Sequence, residues 1–168
     1  MKKIAKEVLS PIIKVPYKIP NFNTIDANGD AFTDKNLLGQ WHILYFYPKD
    51  MTSGCTTEAR EFETAKKRFA TLDCRIIGVS KDTCALHLKF TQKENLSFTL
   101  LSDKDSDMCE KFEVWKEKTL YGRKYLGIER TTFIINPEGM VIARFEKVKV
   151  TGHVDEVLAT LKTLKNYS

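Results

Sequence analysis

The sequence has little of what marks fibrous, membrane-spanning or low-complexity chains. It contains only 8 glycines and 5 prolines among 168 residues, which argues against collagen-like chains. No run of about 18 apolar residues occurs, so a membrane-spanning helix is excluded on length. Repeats, heptads and low-complexity segments are also absent. The hydrophobic fraction of 42% and the charged fraction of 29% instead indicate one soluble domain with a buried core.

Charge of one sign is not concentrated anywhere in the chain. The 27 basic and 22 acidic residues give a net charge of +5, and the two signs alternate, as in Lys116-Glu117-Lys118. A nucleic-acid groove would show a basic stripe with interleaved aromatic residues. We therefore expect a mixed, solvated surface and neither a nucleic-acid nor a membrane partner.

A secretion signal is also missing. The first residues are basic, and the apolar stretch that follows is broken by Pro11, Lys14 and Pro16, whereas a signal peptide needs an uninterrupted apolar run. We expect a reducing cytoplasm, a single domain over residues 1–168, and a loosely ordered leader over residues 1–14.

The cysteines lack the close spacing that paired-thiol and zinc motifs require. They are 19, 10 and 25 residues apart, with no Cys-x-x-Cys, and the histidines are scattered, so we expect no metal site. In a reducing compartment the question is then which single thiol is reactive. The cysteines are Cys55, Cys74, Cys84 and Cys109, and the histidines are His42, His87 and His153.

Hydrophobic patterning predicts strands that alternate with helices. The continuous β-favouring run from Trp41 to Tyr47 is typical of a strand buried on both faces, and a helical pattern follows from Cys55 to about Leu72. Asn28-Gly29 lies between two extended stretches and predicts a β-hairpin. The fold class is therefore α/β, with a central mixed β-sheet flanked by helices and an N-terminal β-hairpin. Further predicted strands cover 74–79, 98–101, 131–135 and 140–145, and further helices cover 83–94 (capped by Asp82), 106–112 and 154–164.

The loop between the first long strand and the first long helix carries the most informative cysteine. Cys55 opens that helix, where free N–H groups and the positive end of the helix dipole favour a thiolate over a thiol. Thr52, three residues earlier, can place its hydroxyl beside the sulfur. A buried structural cysteine is the alternative, but the surrounding loop is polar rather than apolar.

Pro48, Thr52 and Cys55 fill the pattern Pro-x-x-x-Thr-x-x-Cys, which resembles the active site of the peroxiredoxins. The surrounding residues are most similar to the peroxiredoxin Q group, also called bacterioferritin comigratory protein. The likeness covers about residues 15–165, in order and with few gaps. The segments that carry it are 45–50, 54–59, 78–82, 100–103, 118–124, 127–135 and Gly152-His153.

The resemblance implies a thioredoxin-like fold and the reduction of hydroperoxides. Cys55 would be the peroxidatic cysteine that becomes a sulfenic acid. Arg130 would support the thiolate and the polarised peroxide, Thr52 would hydrogen-bond the peroxide and the sulfur, and Pro48 would shape and shield the pocket. Glu58 would orient the arginine or the helix start.

The resemblance also implies the source of electrons. No metal, flavin or haem site is visible, so no cofactor is expected, and thioredoxin, glutaredoxin or a small thiol would recycle the enzyme. Members of the group are often monomers, and we expect a monomer here.

This sequence departs from the group at the resolving cysteine. Members often carry that residue five positions after the peroxidatic cysteine, where Arg60 stands, or on the next helix, at the position of Thr91. Many members also have proline where Ser53 stands. Cys84 is the nearest substitute, and the favoured alternative is that it fills a small apolar position in the first turn of its helix. We expect Cys74 and Cys109 to be packed in the core, and a one-cysteine mechanism remains open.

A redox sensor or binding module of the same fold, without peroxidase turnover, is the alternative function. The presence of Thr52 and Arg130 together with Cys55 favours turnover, and the absence of Cys-x-x-Cys argues against a dithiol carrier.

Overall fold

The computed structural model describes residues 15–167. The leader expected over residues 1–14 lies outside the described residues. The strands are β1 (Tyr17–Lys18), β2 (Asn23–Asp26), β3 (Ala31–Thr33), β4 (Trp41–Phe46), β5 (Cys74–Ser80), β6 (Thr99–Ser102), β7 (Trp115–Leu120), β8 (Arg123–Ile128), β9 (Thr131–Ile135) and β10 (Met140–Phe145). The α-helices are α1 (Ser53–Thr71), α2 (Cys84–Glu94), α3 (Asp107–Lys111) and α4 (His153–Asn166), and a short 3-10 helix spans Asp34–Leu37.

Eight of the strands form one twisted, mixed sheet. Their order is β1-β10-β9-β4-β5-β6-β2-β3. The three strands β4, β5 and β6 run parallel, and every other neighbouring pair in this sheet is antiparallel. This arrangement confirms the predicted mixed central sheet with helices around it. β7 and β8 form a separate two-stranded antiparallel hairpin.

The central strand β4 is buried along its whole length because both faces of the sheet are covered. Successive side chains point to opposite faces, so Ile43 and Tyr45 join one apolar cluster while Leu44 and Phe46 join the other. The first cluster includes side chains of α1 and α4, and the second includes side chains of α3. The absence of polar alternation in the sequence of β4 follows from this double burial.

The parallel strands fix the position of the first two helices. α1 follows β4, and α2 follows β5, so both helices begin at the same edge of the sheet. This edge of an open α/β sheet is where functional sites commonly lie. Cys55 lies there, in the first turn of α1.

The N-terminal hairpin is confirmed by the pairing of β2 with β3. Its turn contains Gly29 at a φ of 85°, a left-handed conformation that glycine adopts without steric cost. The carboxylate of Asp26 accepts hydrogen bonds from the backbone N–H groups of Asn28 and Asp30, which closes the turn.

Three features differ from the sequence-based expectation. α2 is capped by the Thr83 hydroxyl, which accepts from the N–H of Leu86, so Asp82 is not the cap. Tyr17–Lys18 pairs with β10 as an edge strand, which the sequence patterns did not predict. The hairpin β7–β8 was not predicted, because its exposed strands are rich in lysine and lack the apolar alternation that marks a half-buried strand.

Among residues 15–167, no helix is both long enough and apolar enough to cross a membrane.

Candidate active site

Cys55 is the third residue of α1, and Thr52 is the N-cap. Cys55 is buried, with 1% of the residue exposed. The first N–H groups of a helix have no partners within the helix and carry partial positive charge. The sulfur of Cys55 therefore lies against the end of α1 that favours a negative charge, as predicted.

Arg130 brings a full positive charge to the sulfur. It directly precedes β9, and β9 pairs with β4, which ends at the loop before α1. Its Nη1 atom lies 3.5 Å from the Sγ atom of Cys55 and donates to it. The same nitrogen donates to the Oε1 atom of Glu58 at 2.6 Å. One guanidinium group therefore joins the cysteine and the carboxyl group, as the resemblance implied for these three residues.

Glu58 lies one turn after Cys55 and is fully buried. Burial raises the pKa of its carboxyl group to about 7, although the charge of Arg130 opposes this shift. Burial works to lower the pKa of Arg130, but the charges of Glu58 and Cys55 outweigh it and raise that pKa above its usual value. Arg130 thus stays charged, while Glu58 changes its protonation state near neutral pH.

A second buried oxygen accompanies Glu58. Neither the Tyr45 hydroxyl nor the Oε2 atom of Glu58 has a hydrogen-bond partner among the described residues. Burial raises the pKa of Tyr45 well above its usual value, and the nearby charges of Glu58 and Cys55 add to this effect. Tyr45 therefore keeps a neutral hydroxyl group near Glu58 and Cys55.

Thr52 does not point its hydroxyl hydrogen toward the helix or the sulfur. The hydroxyl donates to the backbone carbonyl of Lys49 at 2.8 Å, and it makes no side-chain capping bond to α1. Its oxygen lone pairs remain able to accept a hydrogen bond. Pro48 lies two residues after the end of β4 and is half-buried at the start of the same loop.

Comparison with known proteins identifies the family of this chain. The sequence profile of the AhpC/TSA family matches residues 15–144. Peroxiredoxin Bcp of Bacillus subtilis is 46% identical over 152 residues, which covers 90% of this chain and 97% of that protein. The chain belongs to the AhpC/TSA family of peroxiredoxins. It is a thiol peroxidase, and the resemblance to the Q group is confirmed.

Solved structures of this group of peroxiredoxins have the same fold. The bacterioferritin comigratory protein of Xanthomonas campestris superposes with a TM-score of 0.81 at 43% identity, covering 84% of this chain and 90% of that one. A cysteine-to-serine variant of PrxQ from Xylella fastidiosa superposes with a TM-score of 0.87 at 35% identity, covering 93% and 99%. The thioredoxin-like peroxiredoxin fold is thereby confirmed.

The other three cysteines of this peroxiredoxin are free thiols away from Arg130. Cys74 and Cys109 are buried in the two apolar clusters, as predicted. Burial raises the pKa of Cys74 to about 12 and raises that of Cys109 further, so both remain protonated. Cys84 is half-buried and donates to the backbone carbonyl of Asp26 at 3.3 Å.

Lys118 is a charged neighbour that sequence reasoning did not single out as a site residue. It belongs to β7, and its ammonium group donates to the carbonyl of Ile128. Burial and the charge of Arg130 lower the pKa of Lys118, while Glu129 and Cys55 act in the opposite direction. The hairpin β7–β8 therefore brings a second cation near Cys55. The sequence did not indicate this role of Lys118 because the hairpin itself was not predicted.

Asp50, in the Pro48–Thr52 loop, forms a polar cluster with Asp82 and His87 that the sequence did not reveal. One ligand-type atom each of Asp50, Asp82 and His87 lies within 4.8 Å of the other two. Each of the three side chains already makes hydrogen bonds within the protein. The scattered histidines suggested no ligand cluster in the sequence, but His87 meets Asp50 from 37 positions away in the chain.

Gly54 gives the site a steric test. A Cβ atom at this position would lie 3.2 Å from the Nη2 atom of Arg130, closer than an ordinary contact. Gly54→Ala should displace the guanidinium by a few tenths of an ångström without destabilising α1, because alanine is the better helix former. We expect Cys55 alkylation at pH 6 to slow by about threefold to tenfold, since a misplacement of about 1 Å can cost about a hundredfold.

The matched control for Gly54→Ala is Ser53→Ala, one residue earlier in the same turn and exposed. That variant should keep the wild-type alkylation rate. An unchanged rate in Gly54→Ala, with the melting temperature also unchanged, would contradict the placement of Arg130 beside the sulfur.

Glu58 makes stability depend on pH in a defined direction. Its pKa is about 7 when folded, against an ordinary value of 4.5, so the folded state binds the proton more tightly than the unfolded state. Stability from this group is therefore present at low pH and falls as pH rises through about 7. Relative to Glu58→Gln, the wild type should lose about 2–3 kcal/mol of unfolding free energy between pH 5 and pH 8.

Denaturant unfolding of both proteins at several pH values measures this difference. Glu138→Gln, an exposed change outside the site, serves as the control and should show the same pH dependence as the wild type. Parallel curves for wild type and Glu58→Gln would show that Glu58 does not titrate in this range.

Proposed function

We propose that this peroxiredoxin reduces hydrogen peroxide and organic hydroperoxides through the thiolate of Cys55. The sulfur attacks the terminal peroxide oxygen, the O–O bond breaks, and the departing oxygen takes up a proton to leave as water or an alcohol. Cys55 becomes a sulfenic acid. The observation that carries this proposal is the Nη1 atom of Arg130, which lies 3.5 Å from the Cys55 sulfur.

The donors around Cys55 match the movement of charge in this step. Negative charge begins on the sulfur and ends on the departing oxygen, so fixed donors must serve both. We assign this role to Arg130 and to the free N–H groups at the start of α1. Glu58 holds the guanidinium in place through the 2.6 Å hydrogen bond.

Thr52 and Pro48 act on the peroxide rather than on the sulfur. Because the Thr52 hydroxyl donates to Lys49, its oxygen is left to accept the O–H of a hydroperoxide. Pro48 supplies an apolar wall with no N–H donor of its own, which limits the approach of water.

Organic hydroperoxides are included because of a relative. A structural study of the Xanthomonas campestris protein, which is 43% identical to this chain, concerns its alkyl peroxide reduction activity. We assign the same substrate class to this chain, alongside hydrogen peroxide.

For recycling, we propose that an external thiol reduces Cys55 directly. The thiol attacks the sulfenic acid, water leaves, and a mixed disulfide forms. A second thiol then releases Cys55 as a thiol. Thioredoxin, glutaredoxin or a small thiol can supply both steps. Because Cys55 is 1% exposed, the first turn of α1 must open before a protein thiol can reach the sulfur.

The position of Cys84 supports this one-cysteine route. Its thiol bonds the carbonyl of Asp26 in β2, and β2 lies on the far side of β6 from β4 and β5. α1 packs against β5, whereas α2 contacts β6. A disulfide requires the two Cα atoms to be within about 7 Å, so Cys84 could resolve Cys55 only after both helix ends unwind.

The reductant and the role of Cys84 are tested together. Reduced wild type and Cys84→Ser are each oxidised once with hydrogen peroxide or a small alkyl hydroperoxide, and then mixed with thioredoxin or a small thiol. The proposal predicts that both proteins are oxidised and reduced at the same rates. If wild type forms an internal disulfide and Cys84→Ser does not, Cys84 is the resolving cysteine and the one-cysteine route is wrong.

We also propose that the enzyme acts as a monomer in a reducing compartment such as the cytoplasm. The proposed chemistry needs only side chains of the chain that carries Cys55, namely Arg130, Glu58 and Thr52, so no second copy is required to complete the site. The four cysteines, all within the described residues, are free thiols.

A further inference from the structure

His87 is a fully buried histidine in α2, and both of its ring nitrogens face acceptors. Nδ1 lies 2.7 Å from the carboxylate oxygen Oδ2 of Asp50. Nε2 lies 2.9 Å from the backbone carbonyl oxygen of Leu101. A carbonyl oxygen can only accept, so Nε2 donates its proton to Leu101. When the carboxylate of Asp50 is ionised, Nδ1 donates as well, and His87 is then the charged imidazolium.

The carboxylate of Asp50 is itself held by a second donor. The Tyr47 hydroxyl donates to its Oδ1 atom at 2.6 Å, and the backbone N–H of Asp50 donates to Oδ2 of Asp82 at 2.8 Å. The Tyr47 hydroxyl and Nδ1 of His87 thus face the two oxygens of the Asp50 carboxylate, an arrangement that is typical of the ionised form. A buried ion pair persists when its remaining hydrogen-bonding groups are satisfied, and those of Asp50 and His87 are.

Asp50 occupies the middle of the loop that leads to Cys55. Pro48 and Thr52, the two loop residues assigned to the peroxide, lie two positions before it and after it. The next residue, Met51, has a φ of 66°, a left-handed conformation that a non-glycine residue keeps only when its surroundings enforce it. The tie from Asp50 to α2 therefore fixes the backbone of the wall of the peroxide pocket.

We propose that His87 is a positioning residue of the peroxidase reaction. Its imidazolium holds the carboxylate of Asp50, and through it the loop Pro48–Thr52, in the shape that aligns a hydroperoxide with Cys55. His87 acts through Asp50 on the geometry of the pocket, not on the reacting atoms. The inference rests on the proposed roles of Pro48 and Thr52.

Two variants separate the positioning role from simple filling of space. An asparagine amide nitrogen can occupy the place of Nδ1, so His87→Asn keeps a donor for Asp50 and loses the bond to Leu101. A glutamine amide nitrogen can occupy the place of Nε2, so His87→Gln keeps the bond to Leu101 and leaves Asp50 without its partner. Asparagine is also the smaller residue and leaves the larger cavity.

The measurement is single-turnover oxidation of pre-reduced protein by hydrogen peroxide, with the melting temperature of each variant recorded. We expect His87→Gln to react about tenfold to a hundredfold more slowly than wild type, because the pocket wall shifts. His87→Asn should stay within about threefold of wild type, although it melts at the same or a lower temperature than His87→Gln. Lys89→Ala, an exposed change on the same helix, should match wild type in both measurements.

Rates that simply follow the melting temperatures would overturn the proposal, as would equal rates in His87→Gln and wild type. A long-range ¹H–¹⁵N spectrum of the wild-type histidines at pH 7 gives a second test. It should show protons on both ring nitrogens of His87, assigned by the loss of that signal in His87→Gln. An unprotonated nitrogen would contradict the imidazolium.

The same samples show whether the proposed function itself has failed. Peptide mapping of the oxidised wild type locates the oxygen. Oxidation elsewhere than Cys55 would overturn the proposed chemistry, whereas oxidation of Cys55 at equal rates in all variants would overturn only the role of His87.

Discussion

Cys55→Ser is expected to abolish peroxide consumption. A serine hydroxyl is not ionised at neutral pH, even beside Arg130, and an alkoxide is needed for the equivalent attack. The rate should fall by at least about a thousandfold, to the background of the other thiols. The melting temperature should change little, because serine has nearly the volume of cysteine and Arg130 can donate to its oxygen. Peroxide loss in a reductant-coupled assay and thermal unfolding measure the two quantities.

Cys109→Ala is the matched control for Cys55→Ser. Cys109 is equally buried but lies in the apolar cluster on the opposite face of the sheet. Its removal should cost about 1–2 kcal/mol of stability and leave peroxide consumption within about twofold of wild type. Consumption near the wild-type rate in Cys55→Ser would overturn the assignment of the peroxidatic cysteine.

Arg130→Ala is expected to have the second-largest effect. Removal of one preorganised donor from a charged transition state typically costs about a hundredfold to a thousandfold in rate. The side chain of Arg130 is 17% exposed, and its guanidinium group contacts both Cys55 and Glu58. Water therefore cannot fully replace it. We expect that loss in the rate of peroxide reduction, together with less Cys55 thiolate and slower alkylation at pH 6.

Glu58 complicates the reading of Arg130→Ala, because it would be left buried without its partner. The double variant Arg130→Ala/Glu58→Gln removes this effect, since glutamine carries no charge. The double variant should be more stable than Arg130→Ala at pH 8 but equally slow with peroxide. An alkylation profile that does not move in either variant would show that Arg130 does not support the thiolate.

The strands and helices that could be predicted from the sequence are those whose own burial produces a regular spacing of apolar residues. The apolar run of β4 and the helical spacing of Phe62 and Phe69 in α1 reflect burial that each element experiences by itself. The hairpin β7–β8 escaped because its stability comes from pairing between exposed, charged strands, which leaves no apolar period.

The residues of the site likewise fall into those with a local signal in the sequence and those without one. The helix-opening position of Cys55 is a local feature, so its chemistry could be argued from the residues around it. Arg130 approaches Glu58 from 72 residues away, and only the family resemblance indicated that contact. The Asp50–His87 pair had no local signal at all, because neither residue shows its partner until β4, β5 and α2 are assembled.

Thr52 illustrates a limit of a different kind. Its position before Cys55 was correct, but the direction of a hydroxyl depends on backbone geometry that spacing does not specify. The carbonyl of Lys49 takes the hydroxyl hydrogen, so the threonine presents an acceptor rather than a donor. The hydroxyl hydrogen is therefore not available to the sulfur, and the proposed contact is with the O–H of the peroxide alone.

Peroxide is expected to oxidise Cys55 before any other group in the protein. The most direct measurement is the intact mass of fully reduced protein after one equivalent of hydrogen peroxide, followed by peptide mapping. We predict the gain of one oxygen atom, or of a second on prolonged exposure, on the peptide that contains Cys55. Oxidation of another cysteine or of a methionine, with Cys55 still a thiol, would contradict the assignment of Cys55 as the peroxidatic cysteine.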